Sequence, residues 1–138
     1  MGLRSYKTDK IIVTFDPTRC IHSARCLMGL PQVFDNAIRP WVQPEHATPD
    51  KVAETVRTCP SGALHYERLD GGPAEAPDEP PSVEPVRGGP LYIRGNVEIQ
   101  DSAGETISKE TRVALCRCGH SQKKPICDNT HRIIGFRT

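Results

Sequence analysis

Six cysteines divide the chain into two regions, and this division constrains the fold more than any other feature. Three of them lie before residue 70 and three lie after residue 90, with none between. Each region is so short that its own apolar core is a weak source of stability, and units of this size usually need a metal or a disulfide. The two groups are Cys20, Cys26 and Cys59, then Cys116, Cys118 and Cys127.

The composition favours metal binding over disulfides. Only 5% of the residues are aromatic and 36% are hydrophobic, which excludes a large apolar core. The first residues contain no apolar segment typical of a signal peptide, and no run approaches the length of a transmembrane helix. We therefore expect a cytoplasmic protein without a membrane segment, in which reduced thiols bind metal.

A change of composition at residues 70–90 predicts the domain organisation. This stretch of 21 residues holds six of the 13 prolines and four of the 11 glycines of the chain. Proline fixes φ and removes a hydrogen-bond donor, so little of the stretch can form a core. We expect a first domain at 1–69, a Pro- and Gly-rich acidic linker at 70–87 and a second domain at 88–138; the alternative is a long surface loop within one domain.

The first region reads as a small α+β unit. The β-branched run Ile11–Phe15 predicts a strand, and Cys20–Leu30 a loop or short helix. Thr48-Pro49-Asp50 is typical of a helix start, with the helix ending near Cys59-Pro60. Leu64–Tyr66 then predicts a short strand, so the fold class expected here is α+β.

The second region reads as mostly β. Leu91, Ile93, Val97 and Ile99 predict two short strands that are broken at Gly95-Asn96, because such pairs supply the positive φ of tight turns. A turn is expected at 101–104, and a further strand leads from Arg112 into Cys116. No long helical pattern is present in this region.

Four soft or borderline metal ligands follow that last strand. Cys116 and Cys118 are close enough in sequence to bind one metal ion, and Cys127 and His131 are four residues apart, the spacing of one helical turn. Zinc accepts three Cys and one His, but its usual first pair is separated by two to four residues and not by one. A two-iron cluster needs two ligands on each iron, which the two pairs provide.

The same stretch resembles the CDGSH iron–sulfur domain, the mitoNEET-like family. That family has Cys-x-Cys, two residues, Ser or Thr, three residues, Pro, one residue, Cys-Asp-Gly, then a small residue and His. Every fixed position matches except that Asn129 replaces the glycine, and Asn tolerates the left-handed backbone region. The resemblance covers residues 88–138, and it implies a small, mostly β domain.

What this resemblance implies is a [2Fe-2S] cluster with Cys116 and Cys118 on one iron and Cys127 and His131 on the other. A neutral imidazole in place of a thiolate would raise the reduction potential, make it depend on pH, and allow the cluster to be lost in acid. His120 occupies a variable position and is expected at the surface. Lys123 and Lys124 are expected to form a solvated rim.

The first three cysteines resemble a divergent single-cluster ferredoxin domain, often classed as 4Fe-4S. The resemblance covers residues 10–68 and rests mainly on Cys20-Ile21-His22, Cys26 and Cys59-Pro60-Ser61-Gly62-Ala63-Leu64. Cys-Pro as the last ligand is the ferredoxin pattern, but the middle cysteine of the ferredoxin loop is replaced by Ser23. Val33, Phe34 and Trp41 are expected as core and as dry cover for the cluster.

Three thiolates suffice for a [3Fe-4S] cluster, whereas a [4Fe-4S] cluster needs a fourth ligand. His22, Ser23 and water are the candidates, and His22 is the most apt chemically. The remaining histidines of this region, His46 and His65, are expected at the surface. The competing interpretation of the three cysteines is that they are small buried apolar residues.

Together these features predict a two-cluster protein that transfers single electrons to redox partner proteins as a monomer or a homodimer. The net charge of +1 gives no indication of nucleic-acid binding. No nucleophile–base pair or nucleotide motif is present, so no enzyme activity is expected. The alternatives are iron–sulfur cluster transfer or redox and pH sensing, and a zinc-stapled interaction module.

Overall fold

The computed structural model describes residues 3–138, so Met1 and Gly2 of the predicted first domain lie outside the described residues. The chain divides into two compact units. The first contains the chain up to Cys59 together with Ala63–Glu75, and the second contains Pro60–Gly62 and Ala76–Thr138. The predicted limits of the two domains stay a prediction.

The first unit is built on a three-stranded antiparallel sheet. Strands β1 (Arg4–Lys7), β2 (Ile11–Phe15) and β3 (Leu64–Arg68) are hydrogen-bonded in that order, with β2 in the centre. The predicted strands correspond to β2 and β3. Strand β1 was not predicted, because Arg-Ser-Tyr-Lys lacks the apolar alternation that marks a half-buried strand and lies at the sheet edge.

Helix α2 (Pro49–Arg57) supplies the other layer of this unit. The predicted start is confirmed, because Thr48 is the N-cap and its Oγ1 accepts a hydrogen bond from the Lys51 amide at 3.3 Å. Val52 and Val56 are fully buried in one core with Val13 and Leu64 of the sheet. The short helix α1 (Arg25–Gly29) and a 3₁₀ turn at Pro44–His46 complete the unit.

The second unit is a three-stranded antiparallel meander of β4 (Ser82–Pro85), β5 (Leu91–Gln100) and β6 (Thr106–Leu115). The prediction of two strands broken at Gly95-Asn96 is wrong, because β5 continues through that point with a shift of register between Arg94 and Val97. Gly95 has φ +135°, and a Cβ there would lie 2.7 Å from Cβ of Pro81. The glycine therefore marks a β-bulge and a close approach, not a turn.

Strand β4 lies inside the stretch predicted as linker, 70–87. It pairs with β5 from Ser82 opposite Arg94 to Pro85 opposite Leu91, and all four of its residues are exposed. A proline is tolerated on such an edge strand, because only one side of the strand donates hydrogen bonds to the sheet. The Pro- and Gly-rich composition of this stretch did not indicate a strand.

Both units are small α+β or mostly β folds, and the expected α+β class is confirmed. Each sheet has three strands, and the helices have four to nine residues. Within residues 3–138, no helix combines the length and the apolarity that a bilayer crossing requires.

Candidate metal centres

The four candidate ligands of the second unit cluster where β6 ends. Cys116 directly follows β6, and its amide donates to the carbonyl of Pro125 at 2.8 Å. An isolated bridge between Leu115 and Ile126 brings the returning chain alongside, so that Cys127 also reaches this end of the sheet. His131 follows in the short helix α3 (Thr130–Ile133) and is buried.

The four side chains form two pairs. Sγ of Cys116 lies 4.0 Å from Sγ of Cys118, and Sγ of Cys127 lies 3.6 Å from Nδ1 of His131. Two ligands on one tetrahedral metal, with metal–S and metal–N bonds of about 2.3 and 2.05 Å, are about 3.8 Å apart for S and S and about 3.6 Å for S and N. Each pair therefore has the separation of two ligands on a single metal ion.

The turn that joins Cys127 to His131 differs from the predicted one. The helix begins only at Thr130, and Asn129 before it has φ 72° in the left-handed region. The expectation that one helical turn carries both ligands is therefore wrong, whereas the left-handed conformation expected of Asn129 is confirmed. The amide of Asn129 also donates to Sγ of Cys127 at 3.5 Å.

Asp128 holds this turn together. Its carboxylate accepts from the Thr130 hydroxyl at 2.6 Å, from the Thr130 amide at 3.1 Å and from the Gln122 amide at 2.9 Å. The hydroxyl of Thr130 and the amide of Gln122 lower the pKa of the Asp128 carboxyl to about 2. The residue thus links the loop after Cys118 to the first turn of α3.

Arg117 lies between the first two ligands and ties the C-terminal segment to the β4–β5 connection. Its guanidinium donates to the carbonyl oxygens of Gly89 and Val86, each at 3.1 Å, and to the hydroxyl of Thr138 at 2.8 Å. It also lies over the ring of Phe136 at 5.6 Å. This role of Arg117 was not predicted, because the residue fills the variable position of the Cys-x-Cys pattern.

The pKa values of the candidate ligands in the second site are shifted in different directions. Burial raises the pKa of Cys116, but the amides of Ser121 and Gly119 outweigh it, so the pKa of this thiol lies below its ordinary value. Burial raises the pKa of Cys127, and the charges of Asp128 and then of Cys116 and Cys118 add to this. Burial lowers the pKa of His131, followed by the charge of Arg132, which favours the neutral imidazole that binds metal.

Close packing surrounds the imidazole. Gly89 lies so near that a Cβ on it would be 3.7 Å from Nε2 of His131 and 3.1 Å from the side chain of Val86. His120, in contrast, is exposed, and its Nδ1 lies 2.9 Å from the carbonyl oxygen of Cys118. The donor set of three thiols and one neutral imidazole fits a soft or borderline metal.

In the first unit, the structure brings the three cysteines near each other. Burial raises the pKa of Cys26 to about 11, and the charges of Cys59 and then Cys20 also contribute. Cys26 belongs to α1, Cys59 follows α2 and is buried, and Cys20 lies in the loop between β2 and α1. Thiols that influence one another in this way can share a metal cluster when they are deprotonated.

A cavity of about 410 Å³ opens beside two of these thiols. Phe15 and Trp41 lie on its wall with their rings edge to face, 5.0 Å between centroids, and Val33 and Phe34 are buried behind. Val33 and Phe34 lie in the core as predicted and Trp41 packs against it, whereas their role as cover for a cluster stays a prediction. The polar residues lining the cavity are Arg4, Asn36 and Arg39, besides Cys20, His22 and Cys26.

The loop between Cys20 and Cys26 has an unusual backbone. His22 and Ala24 have φ of 58° and 63°, the left-handed region that residues with a Cβ rarely occupy. This conformation brings Nδ1 of His22 within 3.8 Å of Sγ of Cys20, at the wall of the cavity. Ser23 instead accepts a hydrogen bond from the Arg25 amide at 3.5 Å, and its side chain does not line the cavity.

The other two histidines of the first unit lie elsewhere. Nδ1 of His46 is 3.1 Å from the carbonyl of Gln32, and Nδ1 of His65 is 2.7 Å from the carboxylate of Glu75. Throughout residues 3–138, no three His, Cys, Asp or Glu side chains are grouped as they would be around one metal ion. In the second unit the candidate ligands form two pairs, and in the first unit they are the three thiols described above.

Comparison with known proteins identifies both regions. A family profile described as "Divergent 4Fe-4S mono-cluster" matches residues 6–69, and one described as "Iron-binding zinc finger CDGSH type" matches residues 88–132. The uncharacterized protein YjdI of Escherichia coli (strain K12) is 38% identical over 65 residues, which cover 47% of this chain and 86% of YjdI. YjdI of Escherichia coli O157:H7 gives the same values.

The protein is therefore an iron–sulfur protein with two different metal-binding regions. The chain belongs to the divergent 4Fe-4S mono-cluster family through its N-terminal half, and it carries a CDGSH-type segment after it. Both resemblances predicted from the sequence are confirmed.

Proposed function

We propose that the protein is a two-cluster electron carrier. Cys116, Cys118, Cys127 and His131 would bind a [2Fe-2S] cluster, and Cys20, Cys26 and Cys59 would bind a [3Fe-4S] or [4Fe-4S] cluster. The single observation that carries the proposal is the pairing in the second unit, with separations of 4.0 Å and 3.6 Å between the two partners of each pair.

The pairing supports two metal ions over one. A zinc ion held by all four residues would bring four ligand atoms to one centre, whereas two irons need two ligands each. The charges of Cys116 and Cys118 reach Cys127, so the two pairs are neighbours. The lowered pKa of Cys116 favours its thiolate and the lowered pKa of His131 favours the neutral imidazole, and these are the forms that bind iron.

The cavity in the first unit supports the second cluster. It lies against Cys20 and Cys26, and the ring of Trp41 helps to cover it. Of the candidates for a fourth ligand, the position of His22 favours that residue over Ser23. A [4Fe-4S] cluster with His22 and a [3Fe-4S] cluster without it are the two forms that this site fits.

The residues of the chain would control the environment of each cluster. A bound cluster supplies one-electron oxidation and reduction. Phe15 and Trp41 would exclude water on one side of the first site, and the Asn129 amide would hydrogen-bond the Cys127 sulfur, which raises a reduction potential. The Asp128 carboxylate would keep the loop after Cys118 fixed against α3.

This arrangement fits a carrier that exchanges electrons with protein partners, rather than an enzyme. We propose redox partner proteins in the cytoplasm and a monomeric or homodimeric carrier. These proposals follow from the metal chemistry.

The test is to count iron and acid-labile sulfide per chain in protein purified without oxygen. Five irons would indicate [2Fe-2S] with [3Fe-4S], and six would indicate [2Fe-2S] with [4Fe-4S]. Cys127→Ala should remove about two irons, and Cys59→Ala should remove the others. His120→Ala and His46→Ala are the matched controls and should remove none, and an iron-free, colourless protein that contains zinc would contradict the proposal.

A further inference from the structure

The charges at the end of the sequence are strongly unbalanced. The whole chain has a net charge of +1, but only one acidic residue, Asp128, follows Glu110. Six basic residues occupy the same stretch: Arg112, Arg117, Lys123, Lys124, Arg132 and Arg137. The excess positive charge therefore belongs to the segment that carries all four candidate ligands of the second site.

The two basic residues nearest the start of this segment are directed into the unit. Arg112 is 2% exposed, and Arg117 donates to the carbonyl oxygens of Val86 and Gly89. Lys124 and Arg132, in contrast, are exposed, and Lys123 is half-buried. These three cations are therefore at the surface.

Two large apolar side chains are exposed directly after Arg132 in the sequence. Ile133 is 86% exposed and Ile134 is 44% exposed. We call Lys123, Lys124, Arg132, Ile133 and Ile134 the basic–apolar patch. An exposed apolar surface with a polar rim is typical of a protein interaction site.

Hydrogen bonds hold the two halves of the patch next to the candidate ligands. Asp128 accepts from the Gln122 amide, one residue before Lys123, and from Thr130, two residues before Arg132. The carbonyl of Pro125, next to Lys124, accepts from the Cys116 amide at 2.8 Å. The patch is thus built on the residues that surround the Cys127–His131 pair.

We infer that the basic–apolar patch is the docking surface for an acidic redox protein that carries an apolar contact within a ring of carboxylates. The inference rests on the proposed function, since an electron carrier must present one cluster to its partner at close range. Opposite charges accelerate encounter and orient the two proteins, and an exposed isoleucine supplies contact area that charge alone does not. A second copy fits poorly, because two basic patches repel one another.

The experiment uses two one-electron oxidants of opposite charge. Reduced full-length protein is mixed in a stopped-flow instrument with acidic plastocyanin, whose Cu(II) becomes Cu(I), or with basic cytochrome c, whose Fe(III) becomes Fe(II). The cluster loses one electron in each reaction. We expect plastocyanin to react faster at low ionic strength and its rate to fall steeply as salt is added.

Two variants test how charge and apolar contact contribute to the reaction rate, and a third variant is the control. Lys124→Gln combined with Arg132→Gln should slow the plastocyanin reaction about tenfold at low salt and slightly speed the reaction with cytochrome c. Ile133→Ser should slow the plastocyanin reaction while its salt dependence stays unchanged. The control combines Lys10→Gln with Lys51→Gln, two exposed lysines of the first unit, and should change neither rate.

Iron content and midpoint potential are measured in every variant, so that loss of docking is distinguished from loss of a cluster. Protein that lacks iron would refute the proposed function. Iron-loaded variants that react with plastocyanin as fast as the wild type, or that slow both oxidants equally, would refute the docking surface. Binding to anionic vesicles and to duplex DNA is also measured. If the variants abolish such binding while the plastocyanin rate stays unchanged, the docking surface for a redox protein is refuted.

Discussion

Sγ of Cys127 lies 3.6 Å from Nδ1 of His131 across a turn, and not along a helix. The left-handed Asn129 reverses the chain between them, and Asp128 bonds the turn to Thr130. The backbone conformation of the turn therefore determines the distance between these two ligand atoms. Substitutions that change only this conformation should alter metal retention without removing a ligand.

Asn129 offers the sharpest test of this dependence. Asn129→Gly should retain the second cluster, because glycine adopts a φ of 72° without strain. Asn129→Val should destabilise the turn by about 1–3 kcal/mol, since a β-branched residue is strained in that region. The lifetime of visible absorbance under a chelator measures the effect, and equal lifetimes for the Gly and Val variants would contradict it.

Arg117 should stabilise the second unit, because its planar guanidinium presents several hydrogen-bond donors in a fixed arrangement. Arg117→Lys cannot reach the Val86 and Gly89 carbonyls and Thr138 together, so we expect a loss of about 1–3 kcal/mol in the free energy of unfolding. Chemical denaturation followed by circular dichroism measures it. Arg137→Lys, at an exposed position, is the control and should change little.

The cap of α2 should contribute to the stability of the first unit. Thr48→Ala removes the acceptor of the Lys51 amide and should cost about 1 kcal/mol, whereas Thr48→Ser should keep most of the stability. Trp41 is the sole tryptophan of the chain and packs in this unit, so its fluorescence during urea unfolding reports the change. Equal midpoints for the Ala and Ser variants would show that the cap is not formed.

The stability of the first unit should decrease in acid, because the carboxylate of Asp70 becomes protonated. Hydrogen bonds from Arg68, whose side chain is only 8% exposed, hold the pKa of Asp70 well below its ordinary value. The charged carboxylate therefore contributes fully above its unfolded pKa of about 4, and the contribution is lost as pH falls below that value. The melting temperature, followed by Trp41 fluorescence, should fall less between about pH 4 and pH 2 in Asp70→Asn than in the wild type.

The control for that measurement is Asp9→Asn, at an exposed position in the first unit. This variant should keep the acid dependence of the wild type. If Asp70→Asn and the wild type have parallel profiles, the ion pair with Arg68 contributes nothing to stability.

Much of the fold could be predicted where side-chain pattern and local chemistry agree. Ile11–Phe15 alternates between buried and half-buried positions, and Thr48-Pro49 provides both a cap and a first helical residue. The thiol positions indicated both metal regions, and in the second region a Cys-x-Cys pair brings two soft donors together whatever the surrounding fold.

The remaining features depend on contacts between residues that are distant in sequence. Strand β4 is polar and Pro-rich, and only pairing with β5 makes it a strand. Gly95 resembles a turn residue until its close approach to Pro81 is known. Arg117 has no sequence signal, since its three acceptors come from residues 86–89 and 138.

The central claim is that His131 binds iron together with three thiolates. Pulsed EPR of the reduced protein tests it most directly, because a nitrogen bound to iron gives a strong hyperfine coupling. We expect such a coupling on the [2Fe-2S] signal, its loss in His131→Cys with iron retained, and its persistence in His120→Ala. A [2Fe-2S] signal without nitrogen coupling in the wild type, or with an unchanged coupling in His131→Cys, would contradict the assignment.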